Sequence, residues 1–157
     1  MQAGQQWETM AVIIDSGASV PAVPPSMASA YPLQESEASR NGDEYEIVNG
    51  EVIPCLGEKK LAVLTMEGTL RGYGSQCAEI TKALQSVRAL NASGHAVCFG
   101  LGPEGGEHVI VNRMTGEVNY MEDDGINYIQ RLIVVPPNQI EAVQSAIQHL
   151  GFAGQGS

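Results

Sequence analysis

Apolar residues fall in short runs along this chain, and most of the runs stop at a glycine or a proline. The first, residues 10–14, ends in Asp15-Ser-Gly-Ala-Ser and predicts a buried strand entering a tight turn, with Asp15 where the strand stops. Residues 21–43 hold four prolines among Ser, Glu, Asn and Gly and keep no period, which predicts a loop with room for one short helical turn. The run EYEIV, then Asn49-Gly50, then EVI predicts a hairpin closed by a two-residue turn. Residues 60–66 and 69–73 predict a second hairpin around Glu67-Gly68. Leu84, Val87 and Leu90, with Gly94 as a stop, predict a short helix over about residues 84–93, the only one in the body.

Strand-like runs follow at 95–99, 109–112, 117–120 and 126–135, divided by Gly-Pro-Glu-Gly-Gly, Thr115-Gly116 and Asp123-Asp124-Gly125. After Pro136-Pro137, Asn138-Gln-Ile-Glu141 has the form of a capping box. Ile140, Val143, Ile147 and Leu150 then mark one face of a helix that Gly151 should stop. Its apolar stripe would cover either the chain's own sheet or a partner subunit.

Composition narrows the fold class to all-β. With 157 residues the chain can bury one core, and 18 glycines and 8 prolines suit many tight turns better than a helical bundle. The expected organisation is an N-terminal extension (1–9), one domain (10–135) and a C-terminal helix with a Gly-rich tail (136–157). A formal charge of -10 would repel phosphate backbones and anionic headgroups, which argues against nucleic acid and membrane partners. Cys55, Cys77 and Cys98 are odd in number and widely spaced, which suggests neither a disulfide framework nor a zinc site. No apolar run approaches the roughly 18 residues of a membrane span, and the expectation is a soluble, cytoplasmic protein without metal or cofactor.

The candidate chemistry lies at Asp15-Ser16-Gly17-Ala18. Peptide hydrolysis by carboxylates needs an ionised aspartate held against a second carboxyl, with small neighbours that let the two approach. Two such groups at about 3 Å cannot both ionise and share one proton; aspartic proteases are the established instance of this coupled titration. No second Asp-Ser-Gly or Asp-Thr-Gly occurs in the chain, so the partner carboxyl would have to come from a second copy across a two-fold axis.

The order of three segments resembles the protease domain of copia-type retrotransposon polyproteins, within the retropepsin family of aspartic proteases. These are VIIDSGAS, then EYEIVNGEVIPCLGEKKL, then ALQSVRALNASGHAVCF with MTGEVNYMEDDGINYIQRLIV, together spanning residues 11–135. The resemblance implies a closed β-barrel acid-protease fold acting as a homodimer on polypeptide substrates, the junctions of a polyprotein. It implies that Asp15 is catalytic, that the Ser16 hydroxyl ties the two active-site turns together, and that Gly17 meets the substrate backbone. It also implies that Val48, Asn49 and Gly50 belong to a flap over bound peptide, with Leu84 and Ser86 in the active-site floor. Gln85 departs from the family, which has a second apolar residue there, and so does the C-terminal helix.

Other motifs have plainer readings. His95, His108 and His149 are scattered, and His95 with Cys98 supplies only two ligands. Asp123-Asp124-Gly125 lacks calcium-loop spacing and reads as a turn, while residues 102–106 lack the Lys-Ser/Thr of a phosphate loop. Two function classes follow: an aspartic endopeptidase, or a catalytically silent dimerisation or peptide-binding module on the same fold. Proton chemistry at Asp15 separates them.

Overall fold

The structure, a computed structural model, describes residues 7–47 and 50–155, with side chains described as far as residue 149. Along the chain run β1 (Glu8–Asp15), β2 (Ala22–Val23), a single helical turn α1 (Glu37–Arg40), β3 (Glu44–Glu46), β4 (Val52–Pro54), β5 (Gly57–Thr65) and β6 (Leu70–Cys77). There follow β7 (Ala83–Ser86), α2 (Val87–Ala92), β8 (His95–Leu101), β9 (Glu107–Asn112), β10 (Val118–Asp123), β11 (Tyr128–Val134) and α3 (Ile140–Gln155).

In β1, Met10, Val12 and Ile14 point inward while Thr9 and Ala11 face out, the period-two pattern of a half-buried strand. Six strands, in the order β1-β7-β2-β6-β5-β11, form a sheet that β11 closes by pairing with β1, from Glu8↔Val134 to Ile13↔Ile129. The protein is thus mostly β, built on a closed six-stranded barrel that leaves those strands no free edge over their paired length. Strands β10, β9 and β8 extend the sheet from β11. One core cluster, including Val12, Val23, Leu61, Val63, Leu132 and Val134, fills the barrel. A second, of Ile14, Leu90, Ile110 and Met121, seats α2 between the end of β1 and the extension. Each such side chain, fully buried, contributes about 1.5–3 kcal/mol.

The loop between β2 and α1 is fixed from two sides. Lys59, almost wholly buried in β5, donates from Nζ to the carbonyls of Pro25, Met27 and Ala28 at 3.0, 2.9 and 3.2 Å. Glu8 accepts the Ala28 N–H at 2.9 Å, and Ala28 holds a positive φ of 57° between these two anchors.

Both hairpins form, the second with a longer loop than a two-residue turn. Gly50 N–H donates to Ile47 O and Ile47 N–H to Glu51 O, with Gly50 at φ +84°; Thr65, Gly68 and Thr69 repeat the arrangement with Gly68 at +88°. Glu67-Gly68 are therefore not the two central residues of a tight turn, because Gly68 occupies the left-handed position that ends a three-residue loop, while Asn49 of the expected Asn49-Gly50 turn lies outside the described residues.

Two further expectations change. Leu84 lies in β7 and not in the helix, since its strand is parallel to β1 in the barrel wall (Ile13↔Leu84). The one short helical turn for which residues 21–43 left room forms as α1, capped reciprocally by Ser36 and Ser39. Finally, Asn138 sits inside a 3-10 turn (Pro137–Gln139) with no side-chain cap, and α3 passes through Gly151 to Gln155. One glycine costs a helix about 1 kcal/mol, too little to stop it alone. Ile140, Val143 and Ile147 do share a half-buried face. No described helix is long and apolar enough to cross a membrane.

Candidate active site

Parallel pairing of β1 with β7 sets Asp15 beside Ser86 at one end of the barrel. Asp15 is half-buried, and its Oδ1 accepts the Gly17 N–H at 2.8 Å, so the turn's own backbone orients the carboxyl. A Cβ on Gly17 would stand 3.3 Å from that oxygen, tighter than ordinary van der Waals contact. Ser16 is exposed and Ala18 half-buried.

The turn is held from behind. Ser86, with no exposed surface, donates from Oγ to Ala18 O at 2.7 Å and accepts the Ala89 N–H at 3.0 Å as the N-cap of α2. One hydroxyl therefore links the Asp15 turn to a helix seated in the second core cluster. Tyr73 OH donates to Leu84 O and fixes the preceding carbonyl of the same strand. Burial pushes the Tyr73 phenol well up, so it stays protonated and keeps that donor.

In front of Asp15 lies a groove of about 360 Å³ whose two sides come from distant parts of the chain. Asp15, Gly17, Ala18, Val20 and Leu84 form one side; Glu44, Tyr45, Glu46, Ile47 and Ile53 of the β3–β4 hairpin form the other. The hairpin register is Glu44↔Pro54, Tyr45↔Ile53 and Glu46↔Val52.

Of the residues that sequence alone singled out, Asp15, Gly17, Ala18 and Leu84 line this groove, while Ser86 stands behind it. Gly50 lies at the hairpin's loop, outside the lining, and Val48 and Asn49 fall outside the described residues. Sequence reasoning missed the stem of the hairpin, Glu44–Ile47 and Ile53, together with Val20, Ala78 and Ile80. Apolar Tyr45, Ile47 and Ile53 among acidic neighbours were the available signal, since a wholly solvated hairpin needs no apolar face.

Gln85 points to the other side of β7. Its Oε1 accepts the Ser86 N–H at 2.9 Å, and it lines a second cavity of about 230 Å³ with Arg71, Tyr73 and Gln130. The Gln130 amide nitrogen there is buried without a partner. Gln85 thus satisfies the backbone beside the Asp15 turn.

At the far end of α2, Arg71 Nη2 lies 2.6 Å from His95 Nε2. Arginine only donates, so Nε2 accepts and Nδ1–H donates to Ser93 Oγ at 3.1 Å, whose hydroxyl donates to Leu90 O at 3.0 Å. Burial first, and Arg71 second, hold the imidazole below its usual range. Asp123 and Asp124 cap their own turn, Asp123 accepting from Gly125 and Asp124 from Ile126 and Asn127. Those bonds to Asp124 hold its carboxyl below the usual range. Among the described residues no group of three or more His, Cys, Asp or Glu could hold a metal ion, and the three cysteines are free thiols.

Comparison with protein-family models, with curated proteins and with solved structures finds no match to this chain.

Proposed function

We propose that the chain is a retropepsin-like aspartic endopeptidase that works as a homodimer, each protomer contributing one Asp15. The observation that carries this reading is the groove: an oriented aspartate at the end of a buried strand faces a two-stranded hairpin across a space suited to an extended peptide. A two-fold axis beside the turn would bring each Asp15 opposite its copy. Of the two carboxyls, the ionised one takes a proton from water as its oxygen attacks the peptide carbonyl carbon. The protonated one gives its proton to the carbonyl oxygen. Collapse of the resulting diol, with proton transfer to the amide nitrogen, breaks the C–N bond.

Backbone pairing with the hairpin would supply affinity for an extended polypeptide, and the apolar groove residues would supply pockets. A glycine-ended hairpin loop suits a lid that opens for each substrate. The substrate class is polypeptide, with polyprotein junctions as the natural case, and the chemistry uses water and carboxyls alone.

The test is digestion of a diverse peptide mixture from about pH 4 to 7, read by mass spectrometry, with Asp15→Asn alongside. Cuts made only by the unmutated chain, with a rate that rises and falls with pH, support the endopeptidase. Turnover retained by Asp15→Asn removes Asp15 from the mechanism, and silence from a demonstrated dimer favours the peptide-binding module.

A further inference from the structure

At one end of the barrel three strands turn polar side chains inward. Gln130 shares the inner face of β11 with Leu132 and Val134, and Arg71 shares that of β6 with Tyr73, opposite the buried Val63. Gln85, beside Ile14 in the parallel β1–β7 pair, is the third. With Ala89, Leu90 and Ser93 of α2 they line the cavity of about 230 Å³. The interior of a small barrel is ordinarily filled by apolar side chains, so polar groups there need partners. Gln130 is 4% exposed, and its amide nitrogen is buried with no partner. Gln85 Oε1 is taken by the Ser86 N–H, which leaves the Gln85 amide nitrogen to donate. Arg71 spends N–H groups on Asn119 Oδ1 and His95 Nε2 and forms no ion pair among the described residues; Glu117 acts on it only from beyond ion-pair distance.

We infer that this cavity binds a small monocarboxylate, whose oxygens accept from Arg71 and the Gln130 amide while its apolar body packs against Val63, Leu90 and Leu132. Arg71, Gln85 and Gln130 all offer donors, which calls for an acceptor-rich ligand, and a planar guanidinium matches the geometry of a carboxylate. Arg71 is the one charged residue of the lining among the described residues, so it balances a single negative charge and would leave a dianion uncompensated in a chain of net charge -10. A cavity of about 150 Å³ holds benzene, so this one has room for a molecule the size of benzoate. The mouth of a β-barrel is a common place for such a ligand. None of the three polar residues lines the Asp15 groove, so binding here does not depend on the endopeptidase reading.

The experiment titrates the nitrogen-labelled full chain with acetate, butyrate and benzoate, and with benzamide and sulfate for comparison, and follows side-chain amide signals by NMR. The Gln130 amide is assigned by its loss in Gln130→Leu, a change that exchanges an unpartnered buried group for an apolar one of similar size and should not lower the Tm. Expected is a saturable shift of the Gln130 amide with benzoate, at a Kd of about 0.1–1 mM, and weaker binding of the smaller acids. Neutral benzamide should bind about 10-fold more weakly, and Arg71→Met should weaken benzoate by about 10-fold or more, because the charge-assisted hydrogen bond is lost in both. If no carboxylate moves the Gln130 amide at up to about 10 mM, or if benzamide or sulfate moves it as readily as benzoate, the inference is overturned. Benzoate binding that survives Arg71→Met unchanged overturns it too. The wild-type titration is decisive by itself, whether or not Arg71→Met folds.

Discussion

Replacing Ser86 by alanine should loosen the Asp15 turn and α2 together, because one buried hydroxyl serves both. It caps α2 through the Ala89 N–H, and loss of a serine cap costs about 1 kcal/mol. It also donates to Ala18 O, which is only half-buried, so losing that donor costs about 1–2 kcal/mol, the lower part of the range for an unsatisfied acceptor. Alanine leaves almost no cavity, and the sum is about 2–3 kcal/mol. With a urea slope of about 2 kcal/mol/M, the unfolding midpoint should fall by about 1–1.5 M, measured by circular dichroism at fixed protomer concentration. Peptide cleavage should fall as well, since the Gly17 N–H that orients Asp15 sits in the loosened turn. A midpoint change equivalent to less than about 0.5 kcal/mol would refute the reasoning, because surface changes of no consequence reach that size.

Two other perturbations follow from the same structure. Lys59→Met keeps the stem in the barrel wall but leaves the carbonyls of Pro25, Met27 and Ala28 without their donor, and should cost about 2–4 kcal/mol, read as a Tm lower by roughly 5–15 °C. An unchanged Tm would show that water replaces the ammonium without penalty. His95 is neutral in the fold, held so by burial and by Arg71, with Arg113 and the acidic Glu117 also near the pair. The unfolded chain takes up the proton first, so the stability due to a neutral His95 is complete above about pH 6.5 and declines as pH falls toward the depressed folded value. The Tm difference between about pH 7 and pH 5 should therefore shrink in His95→Gln; an undiminished difference would assign the pH dependence elsewhere.

What could be read in advance was what local pattern encodes. The alternation through Met10, Val12 and Ile14 defined β1 and placed Asp15 at its end. Gly50, Gly68 and Gly94 marked two hairpin loops and the end of α2, because each takes a backbone conformation that other residues avoid. The misses lie where long-range contact decides. Strand β2 is two residues long, among prolines, and exists because Ala22 bridges Leu84 and Gln76. Barrel closure by β11 joins residues more than a hundred positions apart, and nothing local announces it.

The candidate site divides the same way. Its tripeptide stood out as a strand-ending Asp-Ser-Gly, but the Glu44–Ile47 side of the groove appears only once the hairpin is folded against it. Ser86 was singled out as part of the floor, whereas its buried hydroxyl acts behind the turn. That role depends on the parallel Asp15↔Ser86 register, which spacing alone does not reveal.

The central claim is that two copies of Asp15, one from each protomer, form a single catalytic centre. Mixing wild-type and Asp15→Asn chains in equal amounts at fixed total concentration, with time for subunits to exchange, tests it most directly. Random pairing leaves about one quarter of the dimers with two intact aspartates, so cleavage should fall to about one quarter of the all-wild-type rate. Cleavage at about one half would mean that each chain acts by itself, and would contradict the shared site.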